Sequence, residues 1–132
     1  EDKFLLARVI QLFVPGIPQV WYLDIFAGTN DYEAVERAGE GGHKEINRTT
    51  LSNRTIEDGL QKDIVINQLE LIKLRNTSKA FNGSITVKES LSNKLIMHWQ
   101  NEEDFATLEA DLKTFKFSVT YSEGEKVKAM TF

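Results

Sequence analysis

The spacing of apolar residues changes once along the chain, at Asn82-Gly83: before it the period is helical, after it the period is two. Residues 3–13, Lys-Phe-Leu-Leu-Ala-Arg-Val-Ile-Gln-Leu-Phe, hold eight apolar residues in eleven. Arg8 and Gln11 are three apart and share one narrow face. This predicts a helix apolar over most of its girth, ended by Pro15-Gly16. Ile17 to Leu23 then runs through β-branched and aromatic residues, which predicts a strand covered on both faces, with Pro18 tolerated near its start. Helix, tight turn and buried strand make one step of an α/β arrangement.

Residues 24–55 are rich in charge and contain Gly28, Gly39, Gly41 and Gly42. A loop of this length inside a folded unit is usually functional or disordered. Asp31 to Arg37 suits a short helix. Thr55-Ile56-Glu57-Asp58 resembles a capping box and predicts a helix, broken or bent near Gly59. Val65, Leu69 and Ile72, widened by Ile64, Leu71 and Leu74, form its apolar stripe, and Asn76-Thr77-Ser78 suits its end.

Beyond Gly83, Ile85 and Val87 alternate with polar residues. So do Leu95, Met97 and Trp99, then Ala106, Leu108 and Ala110, then Phe115, Phe117, Val119 and Tyr121, with a fifth segment at 126–132. Short polar connections such as Ser122-Glu123-Gly124-Glu125 predict an antiparallel meander with one face packed and one wet. The organisation is therefore α+β: a helix–strand–loop–helix slice over residues 1–80, then a small antiparallel β domain over 81–132.

Composition narrows the chemistry. Sixteen Lys+Arg against 20 Asp+Glu give a net charge of −4, which argues against a general nucleic-acid or anionic-membrane binder. There is no Cys, so disulfides, thiolate metal sites and a cysteine nucleophile are excluded. No apolar run approaches the roughly 18 residues of a membrane span. A cytoplasmic protein is the expectation. The chain opens at Glu1, directly in an apolar segment, as though cut from something longer.

No complete catalytic constellation is present. His98 sits opposite the Leu95, Met97, Trp99 face and reads as structural or surface; His43, in a glycine-rich loop, reads as an exposed loop residue. Glu33, Glu36, Glu40 and Glu45 supply carboxylates to one region, but glycoside chemistry needs a pair at defined spacing, and loop acids are mostly solvated. Asn47, Asn53, Asn76 and Asn82 each begin a glycosylation sequon and read as chance matches in Asn-rich turns. Arg48 stands out because it follows the glycine-rich stretch and precedes a capped helix. Its guanidinium has fixed donors suited to paired hydroxyls or a carboxylate, with a surface salt bridge as the plainer reading.

The stretch from Phe4-Leu5-Leu6-Ala7-Arg8 through Phe13-Val14-Pro15-Gly16-Ile17-Pro18-Gln19-Val20-Trp21-Tyr22 resembles the seventh helix and eighth strand of α-amylase-type (β/α)₈ barrels of glycoside hydrolase family 13. Phe26-Ala27-Gly28-Thr29-Asn30-Asp31, then Glu40-Gly41, then Glu45-Ile46-Asn47-Arg48, resembles the sucrose phosphorylase branch of that superfamily. The segments Leu74-Arg75-Asn76 and Ala80-Phe81-Asn82-Gly83 resemble the end of the last barrel helix, and the β segment the C-terminal domain that follows.

The resemblance implies a retaining glycoside phosphorylase, a transferase of carbohydrate metabolism. An Asp attacks the anomeric carbon, a Glu protonates the leaving oxygen, and inorganic phosphate as co-substrate takes the glucosyl group. No metal or organic cofactor is implied. The catalytic carboxylates belong to earlier barrel strands, so no catalytic residue is assigned within residues 1–132. Arg48 matches the family's sugar-contacting Arg, and Asn47 supports it. Where sucrose phosphorylases usually carry His and an aromatic pair after Ile-Asn-Arg, this chain has Thr49-Thr50-Leu51, which leaves the substrate open between sucrose, sucrose 6-phosphate and glucosylglycerate.

A barrel slice lacks neighbours for strand 17–23 and helix 3–13, so exposed apolar surface is expected, with self-association or pairing with the remaining barrel. The alternative is a free-standing β-rich binding or adaptor module, with Trp99, Phe115 and Phe117 facing a partner.

Overall fold

In the computed structural model, which describes residues 1–132, helices α1 (Asp2–Phe13), α2 (Tyr22–Ile25), α3 (Tyr32–Ala38), α4 (Asn53–Gly59) and α5 (Asp63–Thr77) precede strands β1 (Ser84–Lys88), β2 (Lys94–Asn101), β3 (Asp104–Asp111), β4 (Phe117–Glu123) and β5 (Lys126–Thr131). Short 3₁₀ turns lie at Gly42–Asn47 and Lys79–Asn82. The residues fall into two compact units: Glu1–Pro18 with Glu70–Phe132, and Gln19–Leu69. This grouping differs from a division at residue 80, because α1 and the end of α5 go with the sheet.

In the first unit the strands pair antiparallel in the order β1-β2-β3-β4-β5, the meander predicted from the period-two pattern. The register aligns the apolar positions: Met97 lies opposite Leu108, which lies opposite Val119; Trp99 faces Ala106, and Ala110 faces Phe117. All seven are buried. A one-residue slip would turn this whole set to solvent, so the alternation itself fixes the pairing. One part of the reading is corrected. Phe115 precedes β4 rather than joining it, since its φ of 63° places it in the tight turn after β3. There the Asp111 carboxylate accepts the Lys113 and Thr114 backbone N–H groups at 2.9 and 3.1 Å.

Entry into β1 requires Gly83. A Cβ there would lie 1.9 Å from the Gln100 carbonyl oxygen, so only glycine permits this close backbone approach.

Helix α1 lies against β3. Leu5, Leu6, Val9, Leu12 and Phe13 are all buried, which corrects the expectation of a largely exposed apolar helix. Arg8 is buried too, hydrogen-bonded to Gln11 as their shared face predicts, with its guanidinium 5.5 Å from the Phe4 ring centroid. At the C-terminus of α1, the Trp99 indole donates to the Phe13 carbonyl at 2.7 Å. Phe81 meets both rings edge-on, at 5.3 Å from Phe13 and 5.7 Å from Trp99. Arg75, from α5, lies 4.4 Å from the Phe81 centroid and donates to the Gly16 carbonyl at 2.8 Å.

Residues 17–23 form no strand. Ile17 is 99% exposed, Trp21 is extended (φ −75°, ψ 141°), and α2 begins at Tyr22. A strand requires a neighbour for its N–H and C=O groups, and the five strands present bond only to one another.

In the second unit, Asp31 caps α3 by accepting the Ala34 N–H at 2.9 Å. Ser52, rather than Thr55, caps α4; its hydroxyl accepts the Thr55 N–H at 3.1 Å. The helical stretch breaks after Gly59, as predicted, and resumes at Asp63. The buried face of this part of α5 is Ile64, Val65 and Gln68, while Leu69 is exposed. Gln68 is completely buried and donates to the Asp24 and Ile25 carbonyls at 3.2 and 2.9 Å, holding the end of α2.

Candidate functional site

Asn47 and Arg48 lie in the second unit, on the segment between α3 and α4. Glycines at 39 and 41 have φ of 69° and 83°, so the chain turns sharply out of α3 and enters the 3₁₀ turn Gly42–Asn47. Arg48 follows as its C-cap.

The backbone around Arg48 is held from three directions. The Asp31 N–H donates to the Ile46 carbonyl at 2.7 Å. The Trp21 indole N–H donates to the Asn47 carbonyl at 2.8 Å. The Tyr22 hydroxyl donates to the Thr49 carbonyl at 2.8 Å. The two aromatic rings are themselves in contact, with centroids 5.1 Å apart. Asn47 thus contributes its main chain to this arrangement, and its side chain is exposed.

The Arg48 guanidinium is half exposed and 3.1 Å from the Glu45 carboxylate, an (i, i+3) pair on the 3₁₀ turn. An ion pair this exposed is weak, of order 1 kcal/mol or less, so the guanidinium is readily released to another acceptor. Beside this segment is a cavity of about 650 Å³, lined by Leu23, Asp31, Tyr32, Thr49, Leu51 and Thr55 among others. Thr49 presents a buried hydroxyl without a hydrogen-bond partner. Arg48 itself does not line this cavity.

Of the other titratable candidates, Glu33 and His98 have local partners. Glu33 pairs with Arg37 at 3.5 Å, and Asp31 lies 3.9 Å from the same guanidinium. His43 is exposed on the 3₁₀ turn. His98 lies on the outer face of the sheet, with Nδ1 2.8 Å from the Thr107 hydroxyl and Nε2 3.2 Å from Gln100 Oε1. No group of three His, Asp or Glu side chains is placed to hold a metal ion.

Trp99 and Phe117 are buried in the sheet's own packed face, so they do not present a partner-facing surface. Sequence reasoning missed Trp21 and Tyr22 as donors, having read them as strand core. The available signal was their chemistry: an apolar ring carrying one polar atom that needs a partner.

The chain is homologous to carbohydrate-active phosphorylases over nearly its whole length. It is 57% identical over 121 residues to a sucrose 6(F)-phosphate phosphorylase of Ilumatobacter coccineus, covering 92% of this chain and 23% of that protein. It is 41% identical over 130 residues to the sucrose 6(F)-phosphate phosphorylase of Thermoanaerobacterium thermosaccharolyticum, covering 97% of this chain and 26% of that protein. A glucosylglycerol phosphorylase of Marinobacter adhaerens is 36% identical over 125 residues, covering 95% of this chain and 26% of that protein. The crystal structure of sucrose 6F-phosphate phosphorylase from Thermoanaerobacter thermosaccharolyticum superposes with a TM-score of 0.91 at 37% identity, over 100% of this chain and 27% of that one. No family model matches the chain.

The chain matches a C-terminal fragment of a sucrose phosphorylase-like enzyme. It spans about a quarter of the length of the curated relatives it matches.

Proposed function

We propose that the protein containing this chain is a retaining α-glucoside phosphorylase, and that its substrate is sucrose 6-phosphate. The observation that carries this reading is the 57% identity, over 92% of the chain, to a protein named for that activity. Relatives named sucrose phosphorylase are more distant, at 38, 35 and 32% identity.

In this reading residues 1–80 end a (β/α)₈ catalytic barrel and residues 81–132 form the β domain after it. Segment 17–23, exposed at Ile17, completes a strand only beside neighbouring strands of the remaining barrel. A carboxylate outside residues 1–132 displaces the leaving group from the anomeric carbon, and a second carboxylic acid donates the proton that the leaving oxygen takes. Inorganic phosphate then displaces the enzyme carboxylate and leaves as α-glucose 1-phosphate. The reaction requires no metal or organic cofactor, and the enzyme acts in the cytoplasm. Arg48 exchanges its exposed pairing with Glu45 for hydroxyls of the glucosyl unit, with Asn47 supporting it through the backbone. Without the catalytic carboxylates, residues 1–132 alone are inactive.

The test is phosphorolysis by the full-length protein with sucrose, sucrose 6-phosphate, glucosylglycerate and glucosylglycerol, following glucose 1-phosphate. Sucrose 6-phosphate is expected to give the highest kcat/KM. Preference for another glucoside replaces the substrate, and no glucose 1-phosphate from any of the four removes the reading.

A further inference from the structure

We infer that Trp21 and Tyr22 are positioning residues for Arg48, acting as a two-point clamp on the carbonyls of the residues on either side of it, Asn47 and Thr49. The inference rests on the reading of Arg48 as a sugar contact. Its geometry is independent of that reading: the indole N–H holds the carbonyl before Arg48 and the phenol O–H holds the carbonyl after it, each at 2.8 Å.

The need for a clamp follows from the local sequence. Arg48 follows a stretch whose turns depend on glycines at positive φ, and it lies at the end of a 3₁₀ turn, a conformation with weak internal hydrogen bonds. Its side chain meets one exposed carboxylate, which fixes little. Without added restraint, a short 3₁₀ turn ending in a long side chain would deliver a guanidinium over a wide range of positions. A sugar subsite requires its fork of donors at one position, because recognition falls off steeply with displacement.

The two donors bridge 26 and 27 residues of sequence, so they tie the Arg48 peptide to α2 rather than to its own turn. In turn, α2 is held by the buried Gln68 amide of α5. The chain of restraint runs from a long helix, through a short one, to the residue that meets substrate. The single donor on each ring is already committed to a carbonyl, so neither has an N–H or O–H left to offer a ligand. This places the two residues behind Arg48 in action.

Tyr22→Phe in the full-length protein removes one donor and keeps the ring. With phosphorolysis as the readout, kcat/KM is expected to fall about fivefold, in proportion to one net hydrogen bond, while the melting temperature stays within a degree or two. In an Arg48→Lys background, which has already lost the fork, the same substitution is expected to cost less than twofold. Should Tyr22→Phe lose its cooperative melt, Trp21→Phe removes the other donor and is read in the same cycle. A wild-type kcat/KM in Tyr22→Phe, or losses that simply multiply in the double variant, overturns the positioning role and leaves the proposed function standing. A folded wild-type protein with no phosphorolysis overturns both.

Discussion

The indole nitrogen of Trp99, on β2, donates to the main-chain carbonyl of Phe13, the last residue of α1, at 2.7 Å across 86 residues of sequence. Both residues are buried, so this carbonyl has no access to water as an alternative partner. Removing a donor from such a pair leaves the acceptor unsatisfied, which costs about 1–3 kcal/mol. Trp99→Phe is therefore expected to lower the denaturation midpoint of the full-length protein clearly, while Trp21→Phe, whose exposed acceptor gains water, shifts it little. Equal midpoints for the two variants would show that the buried bond does not anchor α1 to the sheet.

Arg48→Lys keeps the positive charge and loses the planar fork. Loss of a charged hydrogen bond, about 1.5–3 kcal/mol, corresponds to a fall of about tenfold to a hundredfold in kcat/KM for phosphorolysis. Because the guanidinium is half exposed and its Glu45 pairing is weak, the melting temperature is expected to be unchanged. A wild-type kcat/KM would remove Arg48 from the subsite.

The Asp111 carboxyl is held well below the usual carboxylate range, first by the Lys94 ammonium hydrogen-bonded to it at 2.8 Å, then by the Lys113 and Thr114 backbone N–H groups. Its folded pKa lies below its unfolded value of about 3.9. The carboxylate therefore stabilises the fold at pH values above about 4, and that contribution is lost as pH falls through the depressed folded value. Asp111→Asn retains an oxygen for the turn and removes the titration. Urea midpoints of wild type and Asp111→Asn, measured from pH 7 downwards, are expected to converge in acid. A constant difference across the range would exclude the linkage.

The sheet was legible because alternation states both the strand and its buried face: Met97, Leu108 and Val119 needed no tertiary information to be assigned inward. Helix α1 was legible from its dense apolar content between Lys3 and Phe13, ended by Pro15-Gly16. Segment 17–23 forms no strand among residues 1–132 because apolar, β-branched residues specify a preference, whereas a strand also requires a neighbour to bond to. Gln68 was missed because an apolar stripe omits polar residues by construction. Its burial makes sense only once the α2 carbonyls at 24 and 25 are in place. The segment carrying Asn47 and Arg48 was singled out by its order after the glycines. The roles of Trp21 and Tyr22 there depend on a fold-back of 26 and 27 residues that no local pattern encodes.

The unit that contains the sheet is interrupted: the chain leaves it after Pro18 and rejoins it at Glu70. Residues 19–69 are thus an excursion whose two ends both return to that unit. Lengthening such an excursion is inexpensive, since each doubling adds only about 0.6 kcal/mol of closure entropy. An insertion within 19–69, away from the residues that hold Arg48, is consequently expected to leave the strands of the sheet in register.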